Sequence, residues 1–179
     1  MKKFTFHSIV NKSKDEVFAW YQRAGFLERS LPPWEKTIFQ EYEVTLTEKG
    51  DHSCEIVDQF RLPCKFLWMG GFFIKKRLLN YVTYKNEIIF QDITTFSKYK
   101  YVKPLRILLS GSHGLIGSAL FTFLHFAGHD VLRMSRDQKE SLSEYENFDV
   151  IIHLSGENIG KGRWSKAKKE KILHSRIDG

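Results

Sequence analysis

Residues 4–10, "FTFHSIV", alternate apolar and polar side chains, the two-residue period of a strand with one face buried. Residues 13–25, "SKDEVFAWYQRAG", open with Ser13 and Glu16 at the S-x-x-E spacing of a capping box. That spacing predicts a helix, ending near Gly25. Strand-like runs follow in "KTIFQEYEVTL", "HSCEIVDQFRL" and "EIIFQDITTF", separated by Pro, Gly and charged residues. A strand, a helix and a run of antiparallel strands would make a curved sheet gripping a helix. Beyond a joint at "SKYKYVKPLR" the pattern changes. "LRILLSG" is a short continuous apolar run, as in a strand buried on both faces of a parallel sheet. In "SHGLIGSALFTFLHFAGHD", Leu115, Ala119, Phe123 and Ala127 recur every four residues beside Leu120 and Leu124, predicting an amphipathic helix closed by Gly128. "DVLRMS" and "FDVIIHLSG" read as further strands, so the order is βαβ with at least one strand more.

Between that apolar strand and helix stands "GSHGLIG", with Gly111, Gly114 and Gly117 at G-x-x-G-x-x-G spacing. A dinucleotide needs its pyrophosphate close to backbone N–H groups at a helix N-terminus, where any Cβ would obstruct it. Gly111 would make the turn off the strand, Gly114 admit the phosphates and Gly117 seat the helix. Ser112, His113, Leu115 and Ile116 complete the candidate loop. At the end of the next strand stand Ser135 and Arg136 in "RMSRD", and a guanidinium there suits a 2′-phosphate, so NADP is expected, with NAD as the alternative if Asp137 serves the ribose. Leu154, Ser155 and Gly156 end the third strand, where small residues let a ligand lie against the backbone. His153, inside an apolar run, is expected to be a hydrogen-bonded core histidine.

Composition changes this picture little. The formal charge of +7 and pI near 9.3 are moderately basic and favour phosphates or acidic ligands without proving nucleic acid. Cys54 and Cys64 form no C-x-x-C pair and are expected to be reduced, buried thiols; no metal site is expected. The basic N-terminus lacks a sustained apolar region, and no run reaches the length of a membrane span, so a cytoplasmic chain without a membrane role is expected.

The segment "LRILLSGSHGLIGSALFTFLHFAGHDVLRMSR", followed by "DVIIHLSGENIGKGRWSKAKKEKILHSRIDG", resembles the epimerase-like branch of the extended or atypical short-chain dehydrogenases/reductases, usually described as NAD-dependent epimerase/dehydratase. The string "GENI…RW…K…I..SR..G" carries the likeness more specifically than the glycines. The resemblance implies that Gly156, Glu157 and Asn158 edge the cofactor and that Arg163 and Trp164 belong to the same loop and helix start. The earlier string "VFAWYQRAGFLERSLPPWE" is similar to the START-like helix-grip domain that precedes the dehydrogenase in some members, and "LNYVTYKNEIIFQDI" resembles that domain's end. Expected, then, is a shortened α+β helix-grip domain over residues 1–103, followed over 104–179 by an incomplete α/β Rossmann doubly wound parallel sheet.

The resemblance also implies a Tyr-x-x-x-Lys pair for proton transfer beside the nicotinamide. In the family that pair lies downstream of the string ending "SRIDG", so a truncated or split oxidoreductase or epimerase is expected, inactive alone, with no catalytic residue assigned. Its half sheet would call for a partner fragment or self-association. Tyr81 to Lys85 and Tyr99 to Lys103 have the spacing but precede the glycine loop, in what reads as a strand-rich domain and its linker, and chance accounts for them. Two other functions compete. A non-catalytic binding module would use Trp20, Trp34, Phe60, Trp68, Phe72 and Phe73 around a ligand, although core packing explains them as well. A nucleic-acid helix would use Lys161, Arg163, Lys166, Lys168, Lys169, Lys171 and Arg176, which read more simply as a solvated face. The substrate cannot be read.

Overall fold

The computed structural model describes residues 1–32, 41–63, 71–100, 102–134, 146–160 and 162–177. They fall into two compact units, Met1–Val102 and Lys103–Gly179.

In the first unit β1 (Lys2–Val10) is followed by α1 (Lys14–Tyr21), α2 (Phe26–Ser30), β2 (Glu41–Gly50), β3 (Ser53–Leu62) and α3 (Gly71–Lys98). The three strands form an antiparallel sheet in the order β1-β3-β2. The alternation read in residues 52–62 is realised in β3, where Cys54, Ile56, Asp58, Phe60 and Leu62 all point inward and are buried. Phe6, Phe60, Leu62, Leu78, Tyr81 and Val82 form the core between sheet and α3. Trp20 is likewise buried, whereas Phe72 and Phe73 are 76% and 68% exposed. Trp34 and Trp68 lie outside the described residues. Cys54 is a buried free thiol, as expected, and Cys64 lies outside the described residues.

The capping box forms as its spacing predicts. Glu16 N donates to Ser13 Oγ at 3.3 Å and Ser13 N to Glu16 Oε2 at 3.0 Å. Ser13→Ala should therefore lower stability by about 1 kcal/mol, as measured by urea unfolding. The helix ends at Tyr21, and Gly25 heads the short α2 instead of closing α1.

The strand expected at residues 87–96 is not there. Those residues are the second half of α3, whose buried positions Leu78, Tyr81, Val82, Lys85, Ile88, Ile89, Asp92 and Ile93 recur at steps of three and four. Isoleucine, threonine and phenylalanine argue locally for a strand, but burial of one helical stripe against the sheet outweighs that preference. Tyr81 and Lys85 consequently stand one helical turn apart, not in a strand-rich region.

Two charged residues of that stripe are tied down. Asp92 accepts from Trp20 Nε1 at 3.0 Å and takes Arg29 in a two-pronged pair, 2.9 Å from Nε and 2.7 Å from Nη2, joining α1 and α2 to α3. Lys85 Nζ, fully buried, donates to Asp58 Oδ1 at 2.5 Å, Tyr21 Oη at 2.9 Å and Tyr42 Oη at 3.2 Å. Tyr42 in turn donates to Asp58 Oδ1 at 2.6 Å. Burial raises the phenol pKa of Tyr21, Tyr42 and Tyr81, that of Tyr81 to about 12, with the Asp58 charge adding to each. The unfolded chain thus releases these protons first, near the ordinary value of about 10. Between that pH and the raised folded values the native state binds more protons, so stability falls as pH rises. Burial also lowers the pKa of Lys85, with Asp58 opposing; this favours the fold as pH rises, but involves one proton against three. The expected result is cooperative unfolding above about pH 10, with phenolate absorbance rising in step with the loss of near-ultraviolet circular dichroism.

The second unit runs β4 (Arg106–Ser110), α4 (Leu115–Phe126), β5 (Asp130–Met134), β6 (Val150–His153) and α5 (Lys166–Ile177). Its strands form a parallel sheet in the order β5-β4-β6. Ile107, Leu108 and Leu109 in the central strand are buried, as a continuous apolar run predicts. Gly128, at φ +97°, follows the last turn of α4. The stripe read along α4 is only partly inward. Gly117 and Phe126 are the buried positions, while Leu115 is 78% exposed and Ala119 is exposed. The helix approaches the sheet through its glycine, so the contact face is rotated from the one that leucine spacing suggests.

Candidate functional site: a glycine turn between strand and helix

Chain order and sheet order disagree at β4. The chain goes from β4 through α4 to β5 on one side, then returns past β4 to place β6 on the other. In open α/β sheets such a reversal leaves a crevice at the carboxyl ends of the two diverging strands, where ligands bind. Residues 111–117 occupy one lip and residues 154–157 the other.

Gly111 turns the chain off β4 at φ +67°, a left-handed conformation that side chains rarely adopt. A Cβ there would also lie 2.5 Å from the Leu154 carbonyl carbon and 2.7 Å from Ser155 N. The two lips therefore touch through bare backbone, and the glycine is required twice over. Gly117 is equally constrained: a Cβ would drive into the Gly111 carbonyl, with the carbonyl carbon 2.8 Å and Ser112 Cα 2.9 Å away. Gly114 is different. Its Cβ would meet only Gly111 O, at 3.3 Å, a tight contact that a shift of a few tenths of an ångström would relieve, so the constraint there is milder than at Gly111 or Gly117.

Gly114 is the N-cap of α4 and brings no side-chain hydrogen bond to it. The first backbone bond of the helix runs from Ser118 N to Gly114 O at 2.9 Å. Leu115, Ile116 and Gly117 thus direct their N–H groups out of the helix start, with no acidic residue in the first turn to offset the positive end of the dipole. Ser112 is fully buried under the loop with its Oγ 3.5 Å from His113 Nδ1, so what it can offer a ligand is backbone. His113 is exposed.

On the opposite lip, Leu154 N donates to both Ser110 O and Ser110 Oγ at 3.2 Å. Ser110 Oγ also lies 2.9 Å from His153 Nδ1. His153 is hydrogen-bonded as expected, but it is exposed and not in the core, because β6 is an edge strand. Glu157 accepts from Lys168 Nζ at 2.5 Å and its N–H donates to Ser175 Oγ at 2.9 Å. Its carboxylate therefore fixes the loop to α5. The sequence reading placed Lys168 on a basic face and passed over Ser175, and so missed their tie to Glu157, although seven residues is two helical turns and puts both on one face. Gly160 N donates to Asn158 Oδ1 at 2.9 Å, and Trp164 Nε1 to Ile159 O at 3.1 Å. Ser135 and Arg136 lie outside the described residues, as do Lys161 and the side chain of Arg176. Of the basic residues on α5, Lys166, Lys169 and Lys171 are exposed, whereas Lys168 is held by Glu157.

Neither Tyr-x-x-x-Lys string makes a proton-transfer pair. Tyr81 Oη is 2.9 Å from Ser30 Oγ, and Lys85 serves Asp58 and two other tyrosines. Tyr99 follows the end of α3. Among the described residues no cluster of His, Cys, Asp or Glu could hold a metal ion, and no helix is long and apolar enough to cross a membrane.

A parallel sheet whose strand order reverses beside a glycine turn and a helix N-terminus is the arrangement of a partial Rossmann-like fold. No protein-family model matches the chain. Its sequence is similar to epimerase family proteins, with 35% identity over 85 residues to one from Mycobacterium bovis, covering 40% of this chain and 28% of that protein. With one from Mus musculus the identity is 34% over 84 residues, covering 41% and 29%. The chain thus spans under a third of the length of the curated relatives it matches. In fold it is similar to a nucleoside-diphosphate sugar epimerase from Corynebacterium glutamicum, with a TM-score of 0.61 at 18% identity, covering 97% of this chain and 49% of the other. At that identity the likeness speaks for the fold alone.

Proposed function

We propose that Lys103–Gly179 is a nicotinamide dinucleotide-binding unit of the epimerase/dehydratase kind, with the pyrophosphate held at the start of α4. The observation that carries this is the N-cap. Gly114 leaves three outward amides uncovered at the crevice between β4 and β6, at the least constrained of the three glycines. Gly111, Ser112 and His113 contribute backbone to the cradle; Leu115, Ile116 and Gly117 contribute the N–H groups. Leu154, Ser155 and Gly156 offer the opposite wall to the nucleoside, and Glu157 holds that wall to α5. NADP is the preferred cofactor on the strength of Arg136, with Ser135 beside it. The Met1–Val102 unit, a long helix packed on an antiparallel sheet, is taken as START-like. The parent chemistry is epimerase or oxidoreductase chemistry, whose Tyr-x-x-x-Lys spacing does not occur in the sequence between Lys103 and Gly179.

Gly114→Asp tests this reading. Aspartate is a preferred N-cap residue, and the backbone at Gly114, φ −75° and ψ 170°, suits it. The gain in capping should offset the small shift that the 3.3 Å contact with Gly111 O requires, while a carboxylate now occupies the phosphate position. NADPH titration followed by fluorescence should show binding to the wild-type chain and a loss of roughly a hundred-fold or more in the variant, at unchanged thermal stability. Wild-type affinity in Gly114→Asp would refute the site. NADH binding as tightly as NADPH would refute the 2′-phosphate assignment and leave the site standing.

A further inference from the structure

The side of α3 turned away from the sheet is not uniformly polar. Phe72, Leu79 and Phe90 stand on it 76%, 50% and 41% exposed, with Thr83 also exposed between them. Positions 72, 79, 83 and 90 are separated by seven, four and seven residues, the spacing of a coiled-coil seam, so they form one stripe about 27 Å long. Charge is divided along it. From Gly71 to Asn86 the helix carries Lys75, Lys76, Arg77 and Lys85 and no acid, and its first carboxylate is the exposed Glu87. We propose that this stripe is a self-association surface, on which α3 of a second copy of the chain packs antiparallel about a two-fold axis level with residue 81.

The spacing reads the same from either end, and that symmetry selects the partner. Two identical helices running in opposite directions about position 81 bring Phe72 against Phe90 of the second copy, Leu79 beside its Thr83 and Lys76 beside its Glu87, each contact occurring twice. Nothing along the helix neutralises Lys76, whose neighbours three and four residues away are Phe72, Phe73, Leu79 and Asn80. Glu87 accepts from a neutral companion, Gln91 Nε2, at 2.6 Å. Other occupants suit one half of the stripe and not the other. An anionic surface that matches Lys75 and Lys76 meets Glu87 further along, and a basic segment that matches Glu87 meets the lysines. The antiparallel copy supplies a carboxylate where the helix is basic and an ammonium where it is acidic. Phe72 stands edge-on to Phe73 with centroids 6.1 Å apart, which widens one apolar end. Phe90 carries Lys12 Nζ over its ring at 5.0 Å and offers its remaining side at the other. A contact between two helices of this length is small for a specific interface, so the dimer should be weak, with a dissociation constant of about 10 µM.

Sedimentation velocity of the full chain from about 1 to about 300 µM tests this. The wild type should pass from monomer to dimer across that range. Glu87→Lys or Lys76→Glu sets like charges together at both ends of the contact and should weaken the dimer roughly ten-fold or more. Both side chains are exposed, so either variant should keep the fold, which circular dichroism checks. The decisive sample is an equimolar mixture of the two variants. Each repels its own copy, but together they place opposite charges at both ends, so the mixture should associate as tightly as the wild type. The proposal is overturned if the wild type stays monomeric at about 300 µM, if Glu87→Lys dimerises as tightly as the wild type, or if the mixture stays monomeric. Association through the sheet edges of the second unit would be indifferent to these charges and would leave both variants dimerising as the wild type does, which counts against the proposal. None of these outcomes bears on nucleotide binding at Gly114.

Discussion

Asp58→Leu alone should destabilise the first unit by about 3–5 kcal/mol, and adding Lys85→Met should restore most or all of that loss. The single change leaves the Lys85 ammonium fully buried with two phenols and no counter-charge. Its remaining recourse is to lose the proton, towards which burial already pushes it. The double change removes both charges together and substitutes side chains of related shape, so the cost that remains is the loss of hydrogen-bond partners by the Tyr42 and Tyr21 hydroxyls. Urea unfolding of the wild type, both single variants and the double variant closes a cycle whose coupling term should be several kcal/mol. Additive losses would mean that the pair is not the unit its geometry describes.

The sequence made some parts of this architecture legible and concealed others for identifiable reasons. Short-range rules worked where neighbours in the chain are also neighbours in space. Ser13 and Glu16 satisfy one another across one turn, and the run from Arg106 to Ser110 has to be central because it is apolar on both faces. The helix α3 was hidden by its own function in the fold. Lys85 and Asp92 interrupt the apolar stripe, and their partners Asp58, Trp20 and Arg29 lie 27, 72 and 63 residues away. No local window can show that such charges are matched, so Ile88, Ile89 and Ile93 looked like a strand. Asp58 was visible in principle: it stands at an inward position between Ile56 and Phe60. At the glycine turn the spacing identified the right residues but not their different burdens. The constraint on Gly111 comes from Leu154 and Ser155, some forty residues further on, and that on Gly117 from the folded path of the turn at Gly111 and Ser112, neither of which the spacing shows.

That difference yields the other large effect. Gly117→Ala should damage the second unit, in contrast to Gly114→Asp, although it adds a single methyl group. The new Cβ meets the Gly111 carbonyl and Ser112 Cα, which are backbone and cannot rotate away. Gly111 has little room to retreat towards the far lip, where even a Cβ on it would stand 2.5 Å from the Leu154 carbonyl carbon. Relief requires α4 to lift from the turn, which separates the amides of residues 115–117 from the crevice. Overpacking of this kind costs about 1–3 kcal/mol, and the rigidity of the neighbours favours the upper end. Hydrogen exchange measures it unit by unit: the amides of Leu108 and Leu109 should lose protection by roughly ten- to a hundred-fold, while those of Ile56 and Phe60 remain as they were. NADPH binding should fall together with that protection, whereas in Gly114→Asp it falls alone. If Gly117→Ala left β4 as well protected as before, α4 would not be seated on the turn through its glycine, and the outward amides would lose the geometry that makes them a phosphate site.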